Sequence, residues 1–493
     1  MFDRHGIPQE RSRLESFGRE AQQFFALGLP MVVSRLGLAA MAITDGVMLA
    51  HHSSRQLAVH GLADAVMGRW LEVGMAFVMA GLTLAAQAAA GNSGERQLVG
   101  RTWHQALLLA FMAGLLGMAL GAFAPTLFAW TGQEAVLAAD AGLVLAVLGL
   151  GMLPAMVAMA TAGVLEAVGH ASVVALAVVM ANLLNFWLNG LWIDGSGTVP
   201  ALGAVGAAWA TTVVRGVLAV VLLAAAWWLP QRHEFGLRRR FRPADWRASQ
   251  EQRGRGWNAA LSTGLLALLA CGLPVIAGWL GERPLAAMTA LFVLLAPLMV
   301  MAWGLADAAG LQVAGVMGME RRRPGMMLRT GDRCALLQAL VVAGFALLML
   351  ALAPPLLALV APDPALARLV RPLLPLGIVV VLAEGLAFLY AAQLRSIGEL
   401  RRPLLIQAVA GLLLLPLAWV LAFQFKAGLG GLLAAQGIAA ALRAFALATL
   451  YRQVGMGLDK ASAEELRRRA QASARAWADT VLIRPVARTQ VAA

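Results

Sequence analysis

Apolar runs of twenty or more residues recur from residue 22 to residue 451, parted by short polar segments. Wound as a helix at about 1.5 Å per residue, a run of that length matches a bilayer's hydrocarbon thickness of about 30 Å. Within lipid, every backbone N–H and C=O must find its partner inside the protein, and a helix satisfies them within one segment. The chain is therefore expected to be an all-α polytopic membrane protein with twelve transmembrane helices. Hydrophobic residues make up 60% of its 493 residues and charged residues 13%, too few to coat a soluble domain of this size.

A net charge of +13 would suit a nucleic-acid partner if the basic residues shared a surface. Instead they sit between the apolar runs. With the N-terminus inside, the segments on that side hold 30 Lys and Arg against 5 on the other, and Arg35, Arg69, Arg215 and Arg443 fall inside spans. The positive-inside rule then places both termini on the cytoplasmic side of the membrane, with no nucleic acid involved. Residues 1–21 lack a short apolar core and read as a cytoplasmic tail rather than a cleaved signal. Trp103, Trp130, Trp228, Trp257 and Trp279 fall near span ends, where amphipathic rings favour the interface. Cys271 and Cys334 have no metal-ligand spacing, and no acid–base constellation occupies a loop, so neither metal nor cofactor nor enzyme is expected.

The halves resemble each other. Val164–Gly169 (VLEAVG) aligns with Gln393–Gly398 (QLRSIG) at an offset of 229, and Leu202-Gly203 with Leu429-Gly430 at 227. Two six-helix lobes are expected, an N-lobe over 22–230 and a C-lobe over 258–452, meeting at a central cleft where transport sites usually lie. Residues 231–257 would form a basic cytoplasmic linker carrying Arg238, Arg239, Arg240 and Arg242. A cytoplasmic tail over 453–493 would hold a charged helix with Glu464, Glu465, Arg467, Arg468 and Arg469. Acids break the repeat: Asp45 falls opposite Pro274 and Glu384 opposite Ala155, which favours antiport machinery over a symmetric pore.

The first span reads Leu27-Gly28-Leu29-Pro30, with Asp45 fifteen residues after the proline; the fifth carries Asn185 and Asn189 within Asn182–Gly190 (NLLNFWLNG). Pro200–Ala208 (PALGAVGAA) leads into the sixth span, and a loop runs from Gln87 to Gly91. Together these segments resemble the multidrug and toxic compound extrusion (MATE) family, bacterial NorM-like branch, over roughly residues 22–452. The resemblance implies a kink at Pro30, a functional acid at Asp45 and two polar positions at Asn185 and Asn189. It departs at the seventh helix, where Leu266 stands in place of that branch's glutamate, while the tenth keeps Glu384. H⁺ and Na⁺ both remain open as coupling ion.

Intramembrane ionisable groups are functional candidates by default, since each costs about 2.5–3.5 kcal/mol at a span's centre. Asp45 lies five residues before the expected outer end of its span, and Asn189 and Asn185 four and eight before theirs, so the three share a depth. Glu384 and Arg443 differ in depth by about 4.5 Å, compatible with a structural ion pair or with a substrate-facing acid. Arg35 is expected to pair with Glu72, Asp307 to be hydrated, and His51, His52 and His60 to lie in outer loops. Met152, Met156 and Met159 are expected to pack. The resulting expectation is an antiporter, monomeric, that exports cationic or amphiphilic small molecules across the lipid bilayer against H⁺ or Na⁺. The alternative within the superfamily is a lipid-linked saccharide flippase, with the four intramembrane arginines lining its cleft.

Overall fold

Lipid leaves the backbone no external partners, and among the described residues every regular element is helical. The computed structural model describes residues 9–79, 85, 88–89, 96–195, 200–238, 245–246, 249–317, 325–399 and 401–482. The helices are α1 (Gln9–His52), α2 (Ser54–Met79), α3 (Leu98–Ala122), α4 (Ala124–Trp130), α5 (Ala135–Leu150), α6 (Met152–Ala167), α7 (Ala171–Trp192) and α8 (Ala204–Trp228). The second half holds α9 (Gln250–Trp279), α10 (Glu282–Met317), α11 (Met326–Ala351), α12 (Ala353–Val360), α13 (Pro364–Val370), α14 (Leu374–Ser396), α15 (Arg401–Trp419) and α16 (Gly428–Leu482).

Eight helical segments among the described residues are long and apolar enough to cross a membrane, or up to ten when two bent pairs each count as one span. The expected count of twelve is thus not reached on length and composition alone. Any stretch of α2 long enough to cross carries at least three of Arg55, Asp64, Arg69 and Glu72. Over the seventh expected span, the apolar stretch is Ala267–Trp279. The charged C-terminal segment does not form a separate helix; it continues α16 to Leu482. Likewise α1 begins at Gln9, inside the expected tail, and α9 at Gln250, inside the expected linker. Gln87, Gly91, Arg239, Arg240 and Arg242 lie outside the described residues, as do the side chains of Leu266 and of the tail's acids and arginines.

Contacts recur between the halves. α1 packs along α10, and α2 along α9; exchanging the halves turns one pairing into the other. α8 packs on α6 and α7, and α16 packs on α14 and α15. The aligned segments at offset 229 share a backbone motif. Gly169 has φ +87° and Gly398 φ +86°. In each, the next residue's N–H bonds back five residues, His170 to Leu165 O at 2.8 Å and Glu399 to Leu394 O at 3.0 Å. This is a Schellman cap, whose left-handed position glycine fills without steric cost.

Helices in lipid approach through small residues, because apolar surface gains nothing by leaving one hydrocarbon for another. A Cβ on Gly304 would meet Val32 at 2.7 Å, and one on Gly28 would meet Leu305 at 2.9 Å. Such contacts set α1 closely against α10. Trp130, Trp228, Trp257 and Trp279 are exposed, as interfacial rings should be. Trp103 is not: it is buried, with Nε1 donating to Thr161 Oγ1 at 3.3 Å, because α3 starts at Leu98 and carries it past the helix end.

Candidate functional site

Asp45 stands seven residues before the end of α1 and is 2% exposed. Its partners come from α7 and α8. Asn185 and Asn189 are one turn apart on a single face of α7, and Thr211 faces them from α8. Asn189 Nδ2 donates to Asp45 Oδ1 at 2.6 Å, and Thr211 Oγ1 donates to Oδ2 at 2.7 Å. Asn189 Nδ2 also lies 3.3 Å from Asn185 Oδ1, and Asn185 Nδ2 donates to Thr211 Oγ1 at 3.4 Å. Four buried side chains on three helices thus close a ring of hydrogen bonds.

The ring is unusual in charge. Each donor to Asp45 is neutral, and among the described residues the carboxylate has no ion pair. Arg215 on α8 and His60 on α2 lie nearby without touching it. His60 was expected in an outer loop. It is buried instead, because α2 begins at Ser54 and takes His60 into its second turn. His51 and His52 are exposed, the former bonded to Val47 O and the latter to Asp194. Among the described residues, buried Asn189 Oδ1 has no hydrogen-bond partner, so the ring keeps one acceptor in reserve.

One turn below Asn185, Asn182 Nδ2 donates to Gly37 O at 3.0 Å and to Val178 O at 2.8 Å. Gly37 borders a 45° bend in α1, between Gly37 and Ala39. α1 is helical through Pro30, and this bend falls about two turns after the proline. A side-chain amide that captures a backbone carbonyl is a recognised cause of such bends.

In the second half, Arg443 on α16 forms an ion pair with Glu384 on α14, with side chains 16% and 14% exposed. Two expected arrangements of charge are corrected. Arg35 pairs with Asp307 on α10, not with Glu72, and Asp307 is accordingly paired and not merely hydrated. The close packing of Val32 on Gly304 brings α1 to α10 at this level. Glu72 pairs with Arg69, one turn away on α2, at 2.9 Å. Arg55 links the halves, reaching Asp140 at 2.7 Å and Glu282 at 3.4 Å. Met152 and Met156 are buried as packing residues, Met156 against Gly74.

Sequence reasoning missed Thr211 and Asn182. Thr211 follows the glycine-rich turn into α8 by one helical face, but nothing in its local pattern separates it from a packing threonine. Asn182 carried a usable signal: with Asn185 and Asn189 it forms a polar stripe on an otherwise apolar helix.

The MatE family model matches residues 30–191 and 260–420. A probable multidrug resistance protein NorM of Caulobacter vibrioides is 29% identical over 448 residues, covering 90% of this chain and 93% of the relative. One from Bradyrhizobium diazoefficiens is 28% identical over 437 residues, covering 87% and 92%. Among solved structures, an inward-facing multidrug resistance MATE transporter of the MOP superfamily superposes with a TM-score of 0.76 at 18% identity, over 89% of this chain and 99% of that one. An outward-facing structure of such a transporter gives 0.66 at 19% identity, over 89% and 96%.

Proposed function

The chain belongs to the MatE family, and from that membership we propose that it is an H⁺-coupled antiporter exporting cationic or amphiphilic compounds, with Asp45 as its proton site. The coarser statement, a multi-pass multidrug transporter of the NorM-like kind, rests on the family match and on relatives that span nearly the whole chain. The observation that carries the finer one is a buried carboxylate held, among the described residues, only by neutral donors on neighbouring helices.

Two states of the ring follow from its chemistry. Ionised, Asp45 accepts from Asn189 Nδ2 and Thr211 Oγ1. Protonated, it becomes a donor and needs an acceptor. Asn189 Oδ1 is such an acceptor, and turning its amide about χ2 offers it to the new O–H. The proton thus rearranges the seam between α1 and α7, the seam on which Asn182 also holds the bend at Gly37. Coupling arises if the two arrangements favour opposite openings of the cleft, with drug expelled when the proton binds. Na⁺ is the less favoured ion, because both carboxylate oxygens are occupied by donors.

In this reading the halves are rigid lobes, 22–230 and 258–452, and both termini lie in the cytoplasm of the bacterial inner membrane. The basic bias of 30 to 5 supports that orientation. Glu384 and Arg443 serve as a structural pair, for their charges are mutually satisfied and largely enclosed. The testing experiment is ethidium efflux in proteoliposomes under an imposed ΔpH or ΔpNa, applied separately. Uptake under ΔpH alone supports the proposal; uptake that needs ΔpNa overturns its choice of ion.

A further inference from the structure

Two open grooves lie in the second half of the chain, lined by none of the residues that ring Asp45. One, of about 490 Å³, lies between α15 and α16 and is bordered by Arg402, Phe445, Thr449 and Gln453. The second, of about 370 Å³, continues from it between the same helices, past Ala410 and Leu413 to Leu417 and Ile438. They share Leu405, Ile406 and Ala446, and so form one channel along the helix pair.

Its polarity is one-sided. Arg402, Thr449 and Gln453 stand at one end, and every other lining residue is apolar except Arg443, which is turned toward Glu384. Arg402 is 66% exposed along its side chain and only loosely met by Glu399, at 3.8 Å. Arg401 and Arg452, close to it in sequence or to Gln453, are exposed as well. From Arg402 to Leu417 the helix rises about 22 Å, near the depth of one leaflet with its headgroup zone, half of about 40–45 Å. Leu405, Val409, Leu412, Leu413, Leu442 and Phe445 are exposed large apolar side chains along this face, which suits hydrocarbon and not water.

We propose that the groove between α15 and α16 is a binding site for an anionic phospholipid, its phosphate at Arg402 and one acyl chain lying along Leu405, Ala410 and Leu413. Length, one-sided polarity and a basic mouth together select this occupant over an uncharged lipid or a free anion. Seated there, the chain also covers the membrane-facing side of the Arg443–Glu384 pair and keeps water from it. The proposal does not depend on the identity of the coupling ion or on the role of Asp45.

Native mass spectrometry of the purified full chain tests it, with phosphatidylglycerol and phosphatidylcholine of identical chains as probes. The wild type should retain phosphatidylglycerol about fivefold more tightly, the worth of one basic side chain at an anionic lipid surface. Arg402→Gln should erase that preference and leave phosphatidylcholine binding unchanged. Ala410→Trp, which fills the groove, should weaken both lipids while the protein keeps its thermal stability in detergent. Equal retention of the two lipids by the wild type overturns the proposal, as does a preference that survives Arg402→Gln. Self-association that occludes the face and excludes both lipids would also overturn it, assigning the groove to a second copy of the chain.

Discussion

Replacing Asp45 with Asn removes one buried charge, a burden of about 2.5–3.5 kcal/mol in a membrane interior. It also converts two charge-assisted hydrogen bonds, from Asn189 at 2.6 Å and Thr211 at 2.7 Å, into neutral ones. Neutral bonds are worth about 0.5–1.5 kcal/mol against about 1.5–3 for charged ones, so the pair loses about 2–3 kcal/mol. The two changes offset to within about 1 kcal/mol, and the variant should insert and fold like the wild type. Transport should behave differently. A ΔpH of about two units supplies about 2.7 kcal/mol per proton, enough for about 100-fold accumulation in a one-for-one exchange. Wild-type proteoliposomes should approach that ratio for ethidium; Asp45→Asn should come to equal concentrations on both sides. The assay is fluorescence of trapped ethidium, with thermal unfolding as the control for folding. Asp45→Asn protein that concentrates ethidium at the wild-type rate refutes the reasoning, whatever its stability.

Other expectations follow from the same geometry. Glu384→Gln should destabilise the protein by about 3–5 kcal/mol by leaving Arg443 enclosed without its counter-charge; thermal unfolding reads this, and the double change with Arg443→Met should recover most of it. Asn182→Ala removes the donor that holds Gly37 O, so the 45° bend in α1 should relax, read as a changed distance between spin labels at Phe25 and Leu176. Asn189→Ala takes away both the donor to Asp45 and the reserve acceptor, and should slow ΔpH-driven efflux about tenfold, as for a lost charged hydrogen bond of about 1.5 kcal/mol. Reporter fusions after residue 245 and at the C-terminus should read cytoplasmic and one at residue 198 periplasmic; an external reading at residue 245 would reverse the orientation.

Much of this was legible in the sequence because lipid makes strong demands. Apolar run length gave the all-helical fold, and the VLEAVG and QLRSIG segments, 229 residues apart, proved to be matching helix caps. The meeting of Asp45 with Asn185 and Asn189 could be anticipated from depth, since parallel helices bring equal heights together. Depth does not say which helix lies beside which. That is why Arg35 was matched with Glu72 on the next helix in sequence, whereas packing through Gly304 gave it Asp307 on α10. Thr211 was hidden for a related reason: an intramembrane hydroxyl can satisfy itself on its own helix, so only its neighbours reveal it as a partner of Asp45. The bend beside Gly37 lies where Asn182 from another helix donates to Gly37 O, a contact between helices that no local pattern in the first span announces.

Proton linkage at Asp45 can be read without any gradient. If drug and proton bind to opposing arrangements, each must lower the other's affinity by the same factor, so ethidium binding must expel a proton. Titrating ethidium into purified protein in weakly buffered solution with a pH-sensitive dye measures that release directly. The account predicts release approaching about one proton per ethidium bound for the wild type and none for Asp45→Asn. Equal release from both proteins would place the proton site elsewhere and contradict it.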